Sequence, residues 1–172
     1  MKYKALFSAF VFVFLIGCSY DSGNTVNPNL RSISFTAEIS YYNENYTADF
    51  TVEKSGDLSA RIVSPDTLKG LVVEYHGNNS AIKYNEIIID NAQSYLPQTF
   101  SISLIKNVIK DCEKAQASQS DKKIIIKGNY KGEKYYMTLA PTGLPLELDL
   151  PDYALKVAFK NISLLNNKTE ED

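Results

Sequence analysis

From Ile33 onward the chain alternates apolar and polar residues. Ile33, Phe35, Ala37, Ile39 and Tyr41 are separated by Ser34, Thr36, Glu38 and Ser40. Tyr46, Ala48, Phe50 and Val52 repeat the pattern, and Ser55-Gly56-Asp57 supplies a turn. Leu58, Ala60 and Ile62 follow, then Leu71, Val73 and Tyr75, then the turn His76-Gly77-Asn78-Asn79. Ile82 and Tyr84 lead into Glu86–Asp90. Successive side chains of a strand point to opposite faces, so each run predicts a strand with one buried and one wet face. Turn signals at the roughly 8–12-residue spacing of short strands make the arrangement an antiparallel meander.

The period changes once. Phe100, Leu104, Val108 and Cys112 recur every fourth residue, with Ile105 and Ile109 beside them. This predicts one main helix over about 99–115, capped at Thr99 or Ser101 just after Pro97. Lys106, Lys110, Glu113 and Lys114 fall on its other side. Strands resume at Lys123–Tyr130 and Glu133–Ala140, around Lys131-Gly132. Leu144, Leu146, Leu148 and Leu150 then alternate, and Tyr153, Leu155, Val157 and Phe159 complete the set. A meander of roughly nine or ten strands must curl or close, because long open sheets leave edges exposed. The expected fold is mainly β: a curved antiparallel sheet forming an open, unclosed β-barrel, with the helix as a lid over its concave face. The residues expected to line that face are Phe35, Ile39, Phe50, Ile62, Leu71, Val73, Leu104, Val108, Leu146 and Leu148. An apolar lining under a helix suits an apolar or acyl ligand, and the same residues would equally fill a packed core.

The front of the chain reads differently. Lys2 and Lys4 precede an apolar run from Ala5 to Ile16, too short for the ~20 helical residues that span a bilayer. It ends in Leu15-Ile16-Gly17-Cys18, which resembles the bacterial lipobox. A small residue before the cut fits a peptidase, and the Cys18 thiol accepts a diacylglyceryl group. The expected organisation is a lipoprotein signal peptide at 1–17, lipidated Cys18 with a polar tether to residue 31, a β-rich domain at 32–165 and a polar tail at 166–172. Acyl chains at ~0.8 kcal/mol per buried methylene make such an anchor effectively permanent. The expected location is extracytoplasmic, on the cell membrane or an outer membrane.

Charge and chemistry narrow the rest. Residues 18–172 carry 16 basic and 20 acidic groups, a net charge of −4, because residues 1–17 hold two lysines and no acid. That balance argues against a nucleic-acid partner. His76 is the only histidine and sits beside a turn, with no acid–base partner recognisable from sequence. Cys112, on the apolar stripe of the helix, reads as a small buried hydrophobe. One His and one usable Cys cannot build a His/Cys zinc site, and neither a nucleophile elbow nor a phosphate loop is present, so no catalytic residue, metal or cofactor is expected. The twelve tyrosines fall largely on strands, where they suit half-buried positions and also binding surfaces.

The lipobox, polar tether, long meander and mid-chain helix together resemble the lipoprotein-carrier superfamily, typified by the periplasmic lipoprotein chaperone and its outer-membrane receptor. The likeness runs through Phe35-x-Ala37-x-Ile39 and the stretch YTADFTVEKSGDLSARIVSPDTLKGLVVEY, with its Ser-Pro-x-x-Leu-x-Gly turn at Ser64–Gly70. The carriers have an Arg before that Pro and are rich in Trp; here Ser64 takes the place and Trp is absent. The resemblance implies an open barrel, a helical lid and an apolar cavity for acyl chains. The expected function is non-enzymatic: a membrane-anchored lipoprotein holding an apolar ligand. The alternative is a filled-core lipoprotein that docks another envelope protein.

Overall fold

The computed structural model describes residues 28–96, 100–113, 117–120 and 122–165. The expected signal peptide, Cys18, most of the expected tether, Pro97, Thr99 and the expected tail lie outside them. Eleven strands form one sheet among the described residues. The first six are β1 (Ile33–Tyr41), β2 (Glu44–Val52), β3 (Leu58–Ser64), β4 (Val72–His76), β5 (Asn79–Tyr84) and β6 (Ile87–Asp90). After the helix α1 (Ser101–Cys112) come β7 (Ala117–Ser120), β8 (Lys123–Tyr130), β9 (Glu133–Leu139), β10 (Pro145–Leu150) and β11 (Leu155–Leu164).

The order across the sheet is β6-β5-β4-β3-β2-β1-β11-β10-β9-β8-β7. The chain thus makes two meanders that grow outward from a central β1–β11 pair, and α1 crosses from one outer edge to the other. Every pairing is antiparallel, with Ile39 opposite both Val157 and Tyr46. Curling of the sheet follows from the helix contacts. Tyr75 of β4 and Tyr130 of β8 lie seven strands apart, roughly 34 Å in a flat sheet. Both nevertheless reach hydroxyl or amide groups one helical turn apart, on Ser103 and Asn107. The sheet is therefore an open barrel with α1 laid in its hollow, and β6 and β7 are its free edges.

One core runs through the hollow. Ile102, Leu104, Ile105, Val108 and Cys112 of α1 are fully buried against Phe35, Phe50, Val73, Ile126, Met137 and Val157 of the sheet. Phe35 stacks on Phe50 and meets Phe159 edge-on, with ring centroids 5.1 and 5.0 Å apart. Each apolar side chain so buried contributes about 1.5–3 kcal/mol.

Five sequence expectations change. First, Ala117–Ser120, which the sequence pattern assigns to no strand, forms β7 and pairs with Lys123–Ile126 of β8. Second, α1 begins at Ser101 with Phe100 at the cap position, whose side chain offers no cap bond, and the Ser101 hydroxyl, already inside the helix, pairs with Tyr46. Third, a bulge interrupts β10: Pro145 pairs with Leu139 and Glu147 with Thr138, leaving Leu146 as the extra residue. Pro145, Leu148 and Leu150 point inward as a result, and Leu146 is only half-buried. Fourth, the segment near Glu86–Asp90 is a second strand, β6, joined to β5 through Asn85 at φ 53°. Fifth, the packed body reaches back into the expected tether: Leu30 is buried in the core, and Asn29 donates its N–H to the Gly143 carbonyl.

Candidate functional site

Tyrosines position the helix. Tyr46 of β2 pairs its hydroxyl with that of Ser101, and the Tyr75 hydroxyl lies 2.5 Å from Ser103 Oγ. From the opposite wing, Asn107 Nδ2 donates to the Tyr130 hydroxyl at 2.8 Å, and Tyr135 donates to Asp111 Oδ2 at 2.6 Å. Arg31 closes the far end on the Glu113 carboxylate and donates to the Lys54 carbonyl. Strand propensity alone does not foresee this use of tyrosine. Its signal is the polar residues at Ser101, Ser103, Asn107 and Asp111, next to the apolar stripe of an amphipathic helix.

Helix and sheet together occupy the hollow. Of the ten residues expected to line it, Phe35, Ile39, Phe50, Ile62, Val73, Leu104, Val108 and Leu148 are each at most 3% exposed and belong to the core. Leu71 packs at the core's margin, and Leu146 lies on the bulge outside it. The interior at these positions is protein packed on protein.

Polar groups gather at the mouth of the barrel. A depression of about 530 Å³ opens between α1, the β4–β5 hairpin and the β8–β9 hairpin. Tyr75, Ser80, Lys106, Asn107, Tyr130 and Lys131 are among its lining residues. Lys106 Nζ sits 4.4 Å from the Tyr75 ring centroid and 3.4 Å from the Gly77 carbonyl. Partial burial, and then neighbouring Lys110, hold the Lys106 ammonium below the usual lysine range. A larger depression of about 730 Å³ spans β1, β2, β10 and β11, where outward-facing Glu38 and Glu147 stand with Asp149 and Lys156.

The sheet's β6 edge is apolar. Ile87, Ile88 and Ile89 are 62%, 60% and 39% exposed. Ile89 pairs with Ile82 and Ile82 with Val73, a core residue, so Ile87 and Ile89 continue the concave face beyond the helix. Ile88 opposes Lys83 on the outer face.

The single histidine has partners after all. His76 Nδ1 lies 3.4 Å from Asp57 Oδ2 and Nε2 lies 3.5 Å from Glu74 Oε2. The bond to Asp57 first, and that to Glu74 second, raise its pKa. The ring is largely exposed, so the trio is a surface ion cluster. Cys112 is buried, and burial pushes its thiol up to about 12. Among the described residues no group of His, Cys, Asp and Glu could hold a metal ion, and no helix is long and apolar enough to cross a membrane.

No protein-family model and no curated protein matches the sequence. Among solved structures, the chain is similar to a LolA superfamily protein from Nitrosomonas europaea, at 8% identity and a TM-score of 0.42, over 80% of this chain and 88% of that one. It is also similar to an uncharacterized conserved protein from Thermus thermophilus, at 10% identity and a TM-score of 0.45, over 78% and 80%. A third similar chain comes from the structure of the CwlD amidase from Clostridioides difficile in complex with the GerS lipoprotein, at 22% identity and a TM-score of 0.40, over 69% and 76%.

Proposed function

We propose that the chain is a lipid-anchored, extracytoplasmic, non-enzymatic binding module, and that its domain receives an extended apolar segment of another envelope protein along β6. One observation carries this reading: an outermost strand whose three consecutive isoleucines are all exposed, on both faces. Edge strands of proteins that stay alone are blunted by Lys, Pro or bulges. Ile87–Asp90 has none of these among its residues. An added strand would satisfy the free backbone row, and its side chains would cover Ile87 and Ile89 inside and Ile88 outside. Glu86 and Asp90 flank the isoleucines, so the fitting segment is apolar with a basic residue at each end. The leader and Cys18 support the anchored location.

A photo-crosslinking residue at Ile88 of the full chain, in its own cells, is expected to give one discrete protein adduct. The same residue at Lys134, on the exposed face of β9, is expected to give none. Equal labelling at both positions, or none at Ile88, would end this reading. Loss of radiolabelled palmitate in Cys18→Ala tests the anchor.

A second reading rests on the same rows. Ile82, Tyr84, Ile87 and Ile89 share the concave face past the helix, where an acyl chain could lie. Native mass spectrometry separates the two: a lipid-sized mass on the purified chain favours the acyl ligand, and a protein adduct at Ile88 favours the strand partner.

A further inference from the structure

The mouth of the barrel contains a hydroxyl without a partner. Ser80 is 2% exposed, and its Oγ makes no hydrogen bond among the described residues. It sits opposite Tyr75 in the β4–β5 register, on the concave face, and lines the 530 Å³ depression. A buried hydroxyl left unpaired costs stability unless something else satisfies it.

The groups around it are two lysines, hydroxyls and carboxamides. Lys106 of α1 and Lys131 of the β8–β9 turn both line it, their ammonium groups 4.4 and 5.5 Å from the ring centroids of Tyr75 and Tyr130, which line it too. Asn78, Gln93 and Asn107 also line it, Asn107 already donating to the Tyr130 hydroxyl. None of the described lining residues is acidic. Asp57, the acid that acts on Lys106, does not line this space but a separate small depression that Lys106 also borders. A space of this size matches small-ligand sites. Two ammonium groups suit one phosphate, and amides with hydroxyls suit the alcohols of a polyol.

We propose that this mouth binds a phosphate carried on a small polyol, either free or as the deacylated part of a lipid headgroup. Lys106 and Lys131 hold the phosphate, and Ser80 hydrogen-bonds an oxygen of the ligand. The site is independent of the β6 edge, so either proposal can fail alone.

Calorimetry on the full chain in nonionic detergent tests it, with glycerol 3-phosphate, glycerophosphoglycerol and glycerol as probes. At least one phosphate-bearing probe is expected to bind saturably, glycerol not at all, and affinity to fall as salt is raised. Preference for glycerol 3-phosphate assigns a free monoester; preference for glycerophosphoglycerol assigns a headgroup. Lys106→Met and Lys131→Gln are each expected to weaken binding roughly tenfold, the loss of one charge-assisted bond. Ser80→Ala is expected to weaken binding several-fold while raising the Tm of the ligand-free chain, a pairing that a purely structural serine would not give. No saturation by either phosphate up to about 10 mM overturns the proposal. So does binding of glycerol as tight as the phosphates, or unchanged affinity in both Lys131→Gln and Ser80→Ala.

Discussion

The ring of Tyr135 lies on the backbone of Gly128. The two residues are cross-strand partners in β8 and β9, and a Cβ at Gly128 would stand 2.1 Å from Tyr135 Cζ and 2.2 Å from its hydroxyl. Only a residue without a side chain lets the ring fold flat across the strand. In that position the Tyr135 hydroxyl reaches Asp111 on α1, so a glycine in one strand sets a bond between a second strand and the helix.

Gly128→Ala must therefore displace Tyr135. Overpacking of this kind costs about 1–3 kcal/mol. Tyr135→Phe keeps the ring and removes the bond to a carboxylate, a loss of about 1.5–3 kcal/mol. Urea denaturation of the two single variants and the double variant is expected to show sub-additive losses, because both changes remove the same Tyr135–Asp111 contact. Fully additive losses would mean that the glycine acts without the tyrosine.

Much of the architecture was readable in advance, for a physical reason. Strands with one buried face write their phase into the sequence, as Ile33–Tyr41 and Leu58–Ile62 do, and the helix writes its period through Leu104, Val108 and Cys112. Where tertiary pairing overrides local pattern, the reading stops. Ala117–Ser120 has no alternation and is a strand only because β8 offers it a ladder. Leu146 keeps the leucine rhythm of β10, yet the bulge removes it from the core. The mouth depression draws on β4, β5, α1 and the β8–β9 turn, so no local motif announces it.

Leu30 and Arg31 look alike in sequence, as neighbours in a polar stretch, and differ in the fold. Leu30 is buried in the core, whereas Arg31 is exposed and paired with Glu113. Leu30→Ala is expected to cost about 2–4 kcal/mol, and Arg31→Ala about 0.5–1 kcal/mol, by chemical denaturation. Equal costs would show that residue 30 belongs with the tether.

Cys112 should resist thiol chemistry. With its thiol pushed up to about 12 and its side chain buried, almost no thiolate exists near neutral pH. A thiol reagent such as dithionitrobenzoate is expected to label it only after denaturant unfolds the chain. Rapid labelling of the native protein at Cys112 would show that α1 leaves the hollow.

His76 gives the surface cluster a defined pH response. Its pKa is raised above the ordinary 6.5, through Asp57 first and Glu74 second. The folded chain therefore favours the protonated ring. The stabilisation is complete below 6.5 and is lost as pH rises through the folded value. The acids run the other way: Asp57 is held low chiefly by the Gly77 N–H, and Glu74 chiefly by Lys83. Their contributions hold above the ordinary carboxylate range and fall away as pH drops through their folded values. An NMR titration of the ring is expected to place His76 above 6.5, with Asp57→Asn moving it down. A midpoint below the ordinary histidine value would contradict the ion cluster.

The filled hollow can be measured directly by comparing two leucines that the sequence treats alike. Leu104 is fully buried between α1 and the sheet, and Leu146 is half-buried on the β10 bulge. Truncating a buried leucine removes its transfer energy and leaves a cavity, so Leu104→Ala is expected to lose about 2–5 kcal/mol. Leu146→Ala is expected to lose about 1 kcal/mol or less, because water already reaches the site. A small xenon- or benzene-sized void in Leu104→Ala should then take up apolar guests that the parent chain excludes. If Leu104→Ala instead proves as mild as Leu146→Ala, and the parent chain already takes up the guest, the hollow is a true cavity and the helix a lid over it.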